Sequence, residues 1–507
     1  MILIYPPVAK PGEPPAGIAR LSGVLASHHI KHTVVDANLE VLLHIINDTR
    51  LNPAITYDNW TARSLRNISQ NYISLRDSNT FKNIDRYKRA VIDLNHAVES
   101  WTSNGACPGL ANYKHNELSP LKSADLVKAA ECPEDNPYFP YFTRRLIAFI
   151  HDSAPRFVGF SLNYLSQALS TFAMLGFLKK KFPQLSIILG GGLVTSWMRN
   201  PSWQNPFKSL IDHLVAGPGE RPLLEILDVK DIQDKYSGPD YSSLPLDNYL
   251  SPGVILPYSA SNGCYWNKCS FCPEKAEDNP YVPFKTDHAV NDLNRLVEET
   301  DPCLVHLLDN AINISLLKKL AGSMNSPWYG FVRISHLLTD PDFCMALKRS
   351  GCVMLKLGLE SGDQGVLDKM QKGIEISTAS LVLKTLKKAG IATYVYLIFG
   401  TPEETDREAR KTLNYVIKHK EEIDFLNLAI FNMPVCSPDI SQYKTRIFYE
   451  GDLSLYTDFE HPAGWNRKNV RNFLKNEFNS NKVVATILNN DPPFFTSNHA
   501  PFFVMRR

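Results

Sequence analysis

The sequence predicts an α/β chain: an N-terminal parallel-sheet domain, an incomplete parallel barrel and a small C-terminal extension. Three observations carry this. Short apolar runs recur and stop at Gly, Pro, Ser or Asp. Stretches of helical period separate most of them, as parallel strands require. The rhythm fails at about residues 48–140, in a polar linker at about 229–247, and after about 438, which divides the chain into 1–230, 248–438 and 439–507.

The first run, Ile2–Tyr5, is stopped by Pro6-Pro7. A helix follows at about 17–28, with Ile18, Leu21 and Leu25 on one face, and strand 33–35 ends at Asp36. Residues 48–140 are polar, rich in Asn, Ser and Tyr, and carry a helical piece at 87–99, so they read as a mostly helical insertion. The rhythm resumes near Thr143 with strand 157–162, an amphipathic helix Leu165–Lys181, strand 187–189 closed by Gly190-Gly191-Gly192, and strand 213–216 running into Gly217-Pro218-Gly219-Glu220. Ligands of open parallel sheets lie at the carboxyl ends of strands, and glycines there let the backbone approach a large one closely.

Six further runs, 254–259, 304–309, 328–334, 353–359, 394–399 and Phe425–Ile430, are separated mostly by helical patterns. The clearest of these is 377–389, striped by Ala379, Val382, Leu383, Leu386 and Ala389, with Ser377 or Thr378 as a cap and Gly390 at its end. Six such units fit a partial (β/α)6 TIM-type barrel, whose active site belongs at the carboxyl ends of its strands. The tail to Arg507 is aromatic and Pro-rich and matches no regular element; Phe494, Phe495, Phe502 and Phe503 read as packing.

Composition narrows the class. The 507 residues are 44% hydrophobic and 21% charged, which suits packed domains and excludes wholesale disorder. Lys and Arg total 54 against 52 Asp and Glu, which removes the electrostatic argument for a nucleic-acid partner. No run approaches the roughly 20 apolar residues of a membrane span. The N-terminus has neither a basic region nor a small-residue cleavage site, so it reads as a core strand rather than a signal peptide. Nine cysteines are too few and too odd for a disulfide scaffold, so a reducing, cytoplasmic setting is expected.

Three of those cysteines, Cys264, Cys269 and Cys272, lie within nine residues, in the loop after the first barrel strand. Thiolates this dense suit a soft metal centre. Tetrahedral structural zinc wants four ligands, and the nearest fourth candidate, His288, reads as part of a helix start. A cubane cluster held by three thiolates instead leaves one iron open. Cys303, Cys344, Cys352 and Cys436 are scattered, form no second cluster motif and read as buried small hydrophobes.

The cysteine loop, with aromatic Phe271 just before its third cysteine, resembles that of the radical S-adenosylmethionine (SAM) enzymes. In that family the three cysteines bind a [4Fe–4S] cluster, SAM chelates the fourth iron, and one-electron reduction yields a 5′-deoxyadenosyl radical. The usual spacing is C-x3-C-x2-C; here four residues separate Cys264 from Cys269. Gly358-Leu359-Glu360-Ser361-Gly362, followed by residues 366–373, resembles the family's fourth-strand segment, which implies SAM contacts for Glu360 and Ser361. The run 397–405 resembles the fifth-strand motif beside adenine, placing Gly400 there. The resemblance also places Phe271 and Asp309 near SAM, and Arg333 suits its carboxylate, which a guanidinium matches bidentately.

The N-terminal region resembles the cobalamin-binding, Rossmann-like domain that precedes many radical SAM barrels, through residues 3–7, 34–38, 158–161, 188–192 and 215–220. This implies cobalamin contacts at Pro7, Ser161, Gly190, Gly191, Gly217, Gly219 and Glu220. The Asp-x-His-x-x-Gly signature is absent, since Asp36 is followed by Asn38 and not by His. Together the resemblances imply a cobalamin-dependent radical SAM methyltransferase acting on an unactivated carbon of a small-molecule or peptide substrate, with a reductant such as flavodoxin or ferredoxin. A non-methylating rearrangement, cyclisation or oxidation is the alternative within enzymes, and an iron–sulfur scaffold or electron-transfer protein the alternative outside them.

Overall fold

The structure, a computed structural model, describes residues 1–48, 56–230, 237–495 and 499–505. Parts of the expected insertion, linker and tail (49–55, 231–236, 496–498 and 506–507) lie outside the described residues. Two compact units emerge. One holds residues 1–254, 449–455 and 493–495; the other holds 255–448, 456–492 and the described residues from 499 on.

In the first unit, β1 (Ile2–Tyr5), β2 (Thr33–Asp36), β3 (Phe157–Ser161), β4 (Ser186–Gly190) and β5 (His213–Leu214) form a parallel sheet in the order β2-β1-β3-β4-β5. Ile2, Leu3 and Ile4 are buried, as are Val158 and Phe160, which is why both strands read as continuous apolar runs. The strand order reverses between β1 and β3, so the carboxyl ends of those two strands make the switch point where such sheets take ligands.

One expectation changes here. The helix Leu165–Lys181 is not amphipathic: it is buried from Gln167 through Leu178. Its outer face is covered by the insertion's helix Ser123–Glu131, so closely that a Cβ on Gly176 would come within 1.8 Å of the Ala130 carbonyl oxygen. Within the insertion, Ala106–Pro108 and Tyr113–His115 pair as a hairpin beside helix Ile84–Glu99.

In the second unit, β6 (Ile255–Tyr258), β7 (Leu304–Leu307), β8 (Trp328–Val332), β9 (Cys352–Glu360), β10 (Ala392–Phe399) and β11 (Phe425–Ile430) form one parallel sheet in chain order. These are the six expected barrel strands. Helix Ile376–Ala389 ends on Gly390 at φ +70, as its sequence predicts, but begins one residue before Ser377, with Glu375 at its cap position and no side-chain cap bond. Helix Asp406–Lys418 opens on a reciprocal capping box between Thr405 and Glu408.

Residues 456–492 of the tail belong to this unit. Met433–Pro434, Tyr456–Phe459 and Thr445–Ile447 form a small antiparallel sheet, and helices Arg467–Phe473 and Lys482–Leu488 follow. Ala500 joins a cluster with Ile255, Leu304, Val353 and Phe425, residues at or near the first positions of their strands, so the tail plugs the amino-terminal floor of the barrel. Phe495 and Phe502 are buried. Among the described residues no helix is long and apolar enough to cross a membrane.

Candidate functional site

The cysteine loop leaves β6 and is tied at its base, where Ser261–Asn262 pairs with Val282–Pro283. Gly263 follows at φ +71, where a Cβ would come within 2.4 Å of the Pro280 carbonyl oxygen, so the tie requires glycine. Cys269 is buried; Cys264 and Cys272 are half-buried. Burial raises the Cys269 thiol pKa and pushes that of Cys272 up to about 11. Metal binding reverses this, because the thiolate is the ligand. Among the described residues no three His, Cys, Asp or Glu side chains converge on a single-ion site. A cubane takes each thiolate at a different iron, and three cysteines on one loop suit it. His288 lies inside helix Thr286–Thr300.

The residues expected to face SAM gather at the carboxyl ends of the barrel strands, and the side chains of Asp309, Ser361, Glu360 and Arg333 are already engaged by the protein. Asp309, just past β7, is buried, and burial raises its pKa. Its carboxylate accepts from the Ser261 hydroxyl at 2.5 Å and the Ala260 N–H at 3.1 Å, so it fastens the base of the cysteine loop. Ser361 is fully buried, and its hydroxyl lies 3.3 Å from that of Thr412 on helix Asp406–Lys418. Glu360 ends β9 at φ +70, an uncommon backbone for a side chain of its size. It is held there by an ion pair 2.7 Å from Lys372. Gly358 makes room for the pair: a Cβ there would meet Glu360 Oε1 at 2.5 Å and Lys372 Nζ at 2.8 Å. The same ammonium lies over the Phe271 ring, 5.5 Å from its centroid.

Arg333 follows β8 and stacks on Trp266 of the cysteine loop, 3.9 Å from the ring. Its Nη2 donates to the Lys372 carbonyl at 2.6 Å. Gly400 follows β10 at φ +79, and its N–H donates to Glu404 at 2.6 Å. Trp465 Nε1 donates to the same carboxyl oxygen at 3.1 Å. Burial pushes the Glu404 carboxyl up to about 7. Close by, His461 Nδ1 accepts from the Ala463 and Trp465 N–H groups while Nε2 donates to the Thr401 carbonyl, an arrangement that fixes a neutral ring.

Sequence reasoning missed Lys372, Trp266 and Glu404, and it missed a polar pair in the barrel interior. Lys356 of β9 lies 2.9 Å from His306 of β7, both buried, with the His306 ring stacked on Tyr329 at 4.2 Å. The signal was present: a lysine and a histidine interrupt the apolar runs of two barrel strands, and strand alternation turns such positions inward.

In the first unit, Pro7, Ser161, Gly190 and Gly217 follow or end β1, β3, β4 and β5. Gly191, at φ +112, is a packing glycine, since a Cβ there would come within 2.4 Å of the Leu162 carbonyl oxygen. Gly217, at φ +74, is different: a Cβ there meets nothing within 4 Å, so its backbone faces open space. That bare backbone at a strand end fits a broad ligand such as a corrin. Gly219 precedes helix Glu220–Ile226, and Glu220 pairs with Arg20 at 3.1 Å. Asn38, where the signature histidine would stand, accepts the Ala9 N–H at 2.7 Å.

Residues 258–416 match the Radical SAM superfamily. The chain is 28% identical over 222 residues to an uncharacterized methyltransferase of Pyrococcus horikoshii, covering 41% of this chain and 45% of that protein. It is 25% identical over 232 residues to the anaerobic magnesium-protoporphyrin IX monomethyl ester cyclase of Rubrivivax gelatinosus, covering 43% and 39%. The chain thus spans less than half the length of these curated relatives. In fold it is similar to TsrM, a radical SAM methyltransferase of Kitasatospora setae solved with cobalamin and a [4Fe–4S] cluster bound, at TM-score 0.50 and 14% identity, covering 85% of this chain and 75% of that one. The radical SAM match runs from the last residue of β6 into helix Asp406–Lys418, so it covers the cysteine loop and β7 to β10.

Proposed function

We propose that the chain is a cobalamin-dependent radical SAM methyltransferase that acts on an unactivated carbon of a small-molecule or peptide substrate and draws electrons from a flavodoxin- or ferredoxin-type reductant. The observation that carries the reading is the tied loop that holds Cys264, Cys269 and Cys272 at the carboxyl mouth of a six-strand parallel sheet. When bound, the [4Fe–4S] cluster, SAM and cobalamin supply reductive SAM cleavage and methyl carriage.

The chain's residues do the rest. Cys264, Cys269 and Cys272 hold the cluster; Asp309, through Ser261, fixes the base of their loop. Arg333 meets the SAM carboxylate, and Glu360, held by Lys372, faces its ribose or ammonium. Phe271 and the backbone at Gly400 bracket the adenosine, while Ser361 fixes the turn after β9. Pro7, Ser161, Gly190 and Gly217 line the corrin, Gly191 and Gly219 shape the turns beside it, and Glu220 is anchored by Arg20. With Asn38 committed to Ala9, no imidazole ligates cobalt from that position.

The cyclase relative favours a second reading, ring closure without methyl transfer. The test is anaerobic reconstitution with iron, sulfide and cobalamin, followed by desalting and incubation with SAM and reductant. Methyl transfer predicts retained corrinoid and formation of S-adenosylhomocysteine beside 5′-deoxyadenosine. Formation of 5′-deoxyadenosine alone, with no corrinoid retained, supports the second reading and contradicts the first.

A further inference from the structure

The four-residue spacing between Cys264 and Cys269 has a structural consequence. Asn267 takes a left-handed turn at φ +43, a conformation asparagine tolerates better than most residues. Just before that turn, Trp266 lies flat against Gly373: a Cβ on that glycine, itself at φ +64, would come within 2.1 Å of the indole ring. Trp266 Nε1 donates to the Gln371 carbonyl at 2.9 Å. Its ring carries the Arg333 guanidinium at 3.9 Å and the Lys268 ammonium at 4.9 Å.

Three successive carbonyls of one turn are therefore consumed by the cysteine loop and its neighbour. Met370 accepts from the Ser270 N–H at 3.0 Å, Gln371 from Trp266 and Lys372 from Arg333 at 2.6 Å. That turn also supplies Lys372, the partner of Glu360. Only Nη2 of Arg333 has a hydrogen-bond acceptor among the described residues, which leaves Nε and Nη1 for a ligand carboxylate.

We propose that Trp266 is a positioning residue: its indole is the shelf that fixes Arg333 so that the guanidinium meets the carboxylate of SAM bound at the cysteine loop. A cation stacked on an aromatic face keeps its in-plane N–H groups free for a second partner. The inference rests on the radical SAM reading and adds the residue that sets Arg333, with the extra loop residue as the means.

The test measures SAM affinity of reconstituted protein by equilibrium dialysis, with iron content and the electron paramagnetic resonance spectrum of the reduced cluster as parallel readouts. Trp266→Phe keeps a ring beneath the guanidinium; Trp266→Gln keeps an N–H for the Gln371 carbonyl and loses the ring. The expected result is SAM binding within about threefold of wild type for Trp266→Phe and about tenfold weaker for Trp266→Gln. Iron content and the SAM-free spectrum stay unchanged in both. Arg333→Gln loses about the same factor, and the Trp266→Gln/Arg333→Gln double variant is no weaker than Arg333→Gln alone. Wild-type affinity in Trp266→Gln, multiplicative losses in the double variant, or iron loss that accounts for the weaker binding overturns the proposal. Absence of SAM binding by the wild-type protein contradicts the radical SAM reading instead.

Discussion

The two sides of the barrel mouth solve the problem of polar groups at strand ends in opposite ways. From β6 to β9 the ends carry charge. Asp309 accepts from Ser261, Glu360 pairs with Lys372, and Arg333 stacks on Trp266. Each ionic group is fixed by one or two contacts, and the cysteines stand among them. At β10 the tail seals the strand end with a hydrogen-bonded network. Glu404, raised to about 7, accepts from Gly400 and Trp465, and His461 is locked as a neutral ring. A charged ligand suits the first side better than the second. Fixed ions bind charged ligands strongly because their geometry is set in advance, whereas a sealed neutral network offers a ligand only shape.

Breaking the charged side gives the largest effect. Lys372→Met leaves the Glu360 carboxylate buried and unpaired on a left-handed backbone, and is expected to cost about 4 kcal/mol, read as a shift in the denaturant midpoint. Pairing it with Glu360→Gln should restore most of that loss. A loss under about 1 kcal/mol in the single variant removes the distinction between the two sides.

The sealed side is expected to announce itself through pH. The folded Glu404 pKa of about 7 lies above its ordinary value of 4.5. The folded state therefore holds a proton that the unfolded chain releases, so this group's stabilising contribution is complete below pH 4.5 and is lost as pH rises through 7. Glu404→Gln should remove a pH-dependent swing on the order of 3 kcal/mol between pH 5 and 8. Unfolding curves of equal pH slope for both proteins would contradict a protonated network at β10.

Smaller still is Ser261→Ala. It removes one donor to a buried carboxylate and is expected to cost about 2 kcal/mol. The same change should speed proteolysis within residues 263–280, where the tie between Ser261–Asn262 and Val282–Pro283 is loosened. Unchanged cleavage would show that Asp309 does not hold the loop.

Much of this was legible in the sequence, for physical reasons that also mark where legibility ends. The barrel strands are apolar runs because β6 to β10 are buried along most of their length on both faces, and the cysteine loop is legible because three thiols in nine residues serve few purposes. Glu360 is visible as a carboxylate at a strand end, but its partner Lys372 lies twelve residues on, across a turn that only the fold brings back. Trp266 reads as an aromatic residue inside a motif of irregular spacing; its contact with Gly373 depends on two left-handed backbones that no periodicity encodes. The helix Leu165–Lys181 reads as amphipathic because the insertion that covers it is far away in sequence.

On the proposed function, the Cys264, Cys269 and Cys272 loop holds a cluster that cleaves SAM. The direct measurement is 5′-deoxyadenosine formed by anaerobically reconstituted protein under reduction, with wild type and the Cys264→Ala/Cys269→Ala/Cys272→Ala variant side by side. The expected result is iron–sulfur absorbance and 5′-deoxyadenosine in the wild type and neither in the variant. Cluster absorbance or 5′-deoxyadenosine surviving in the variant would contradict it.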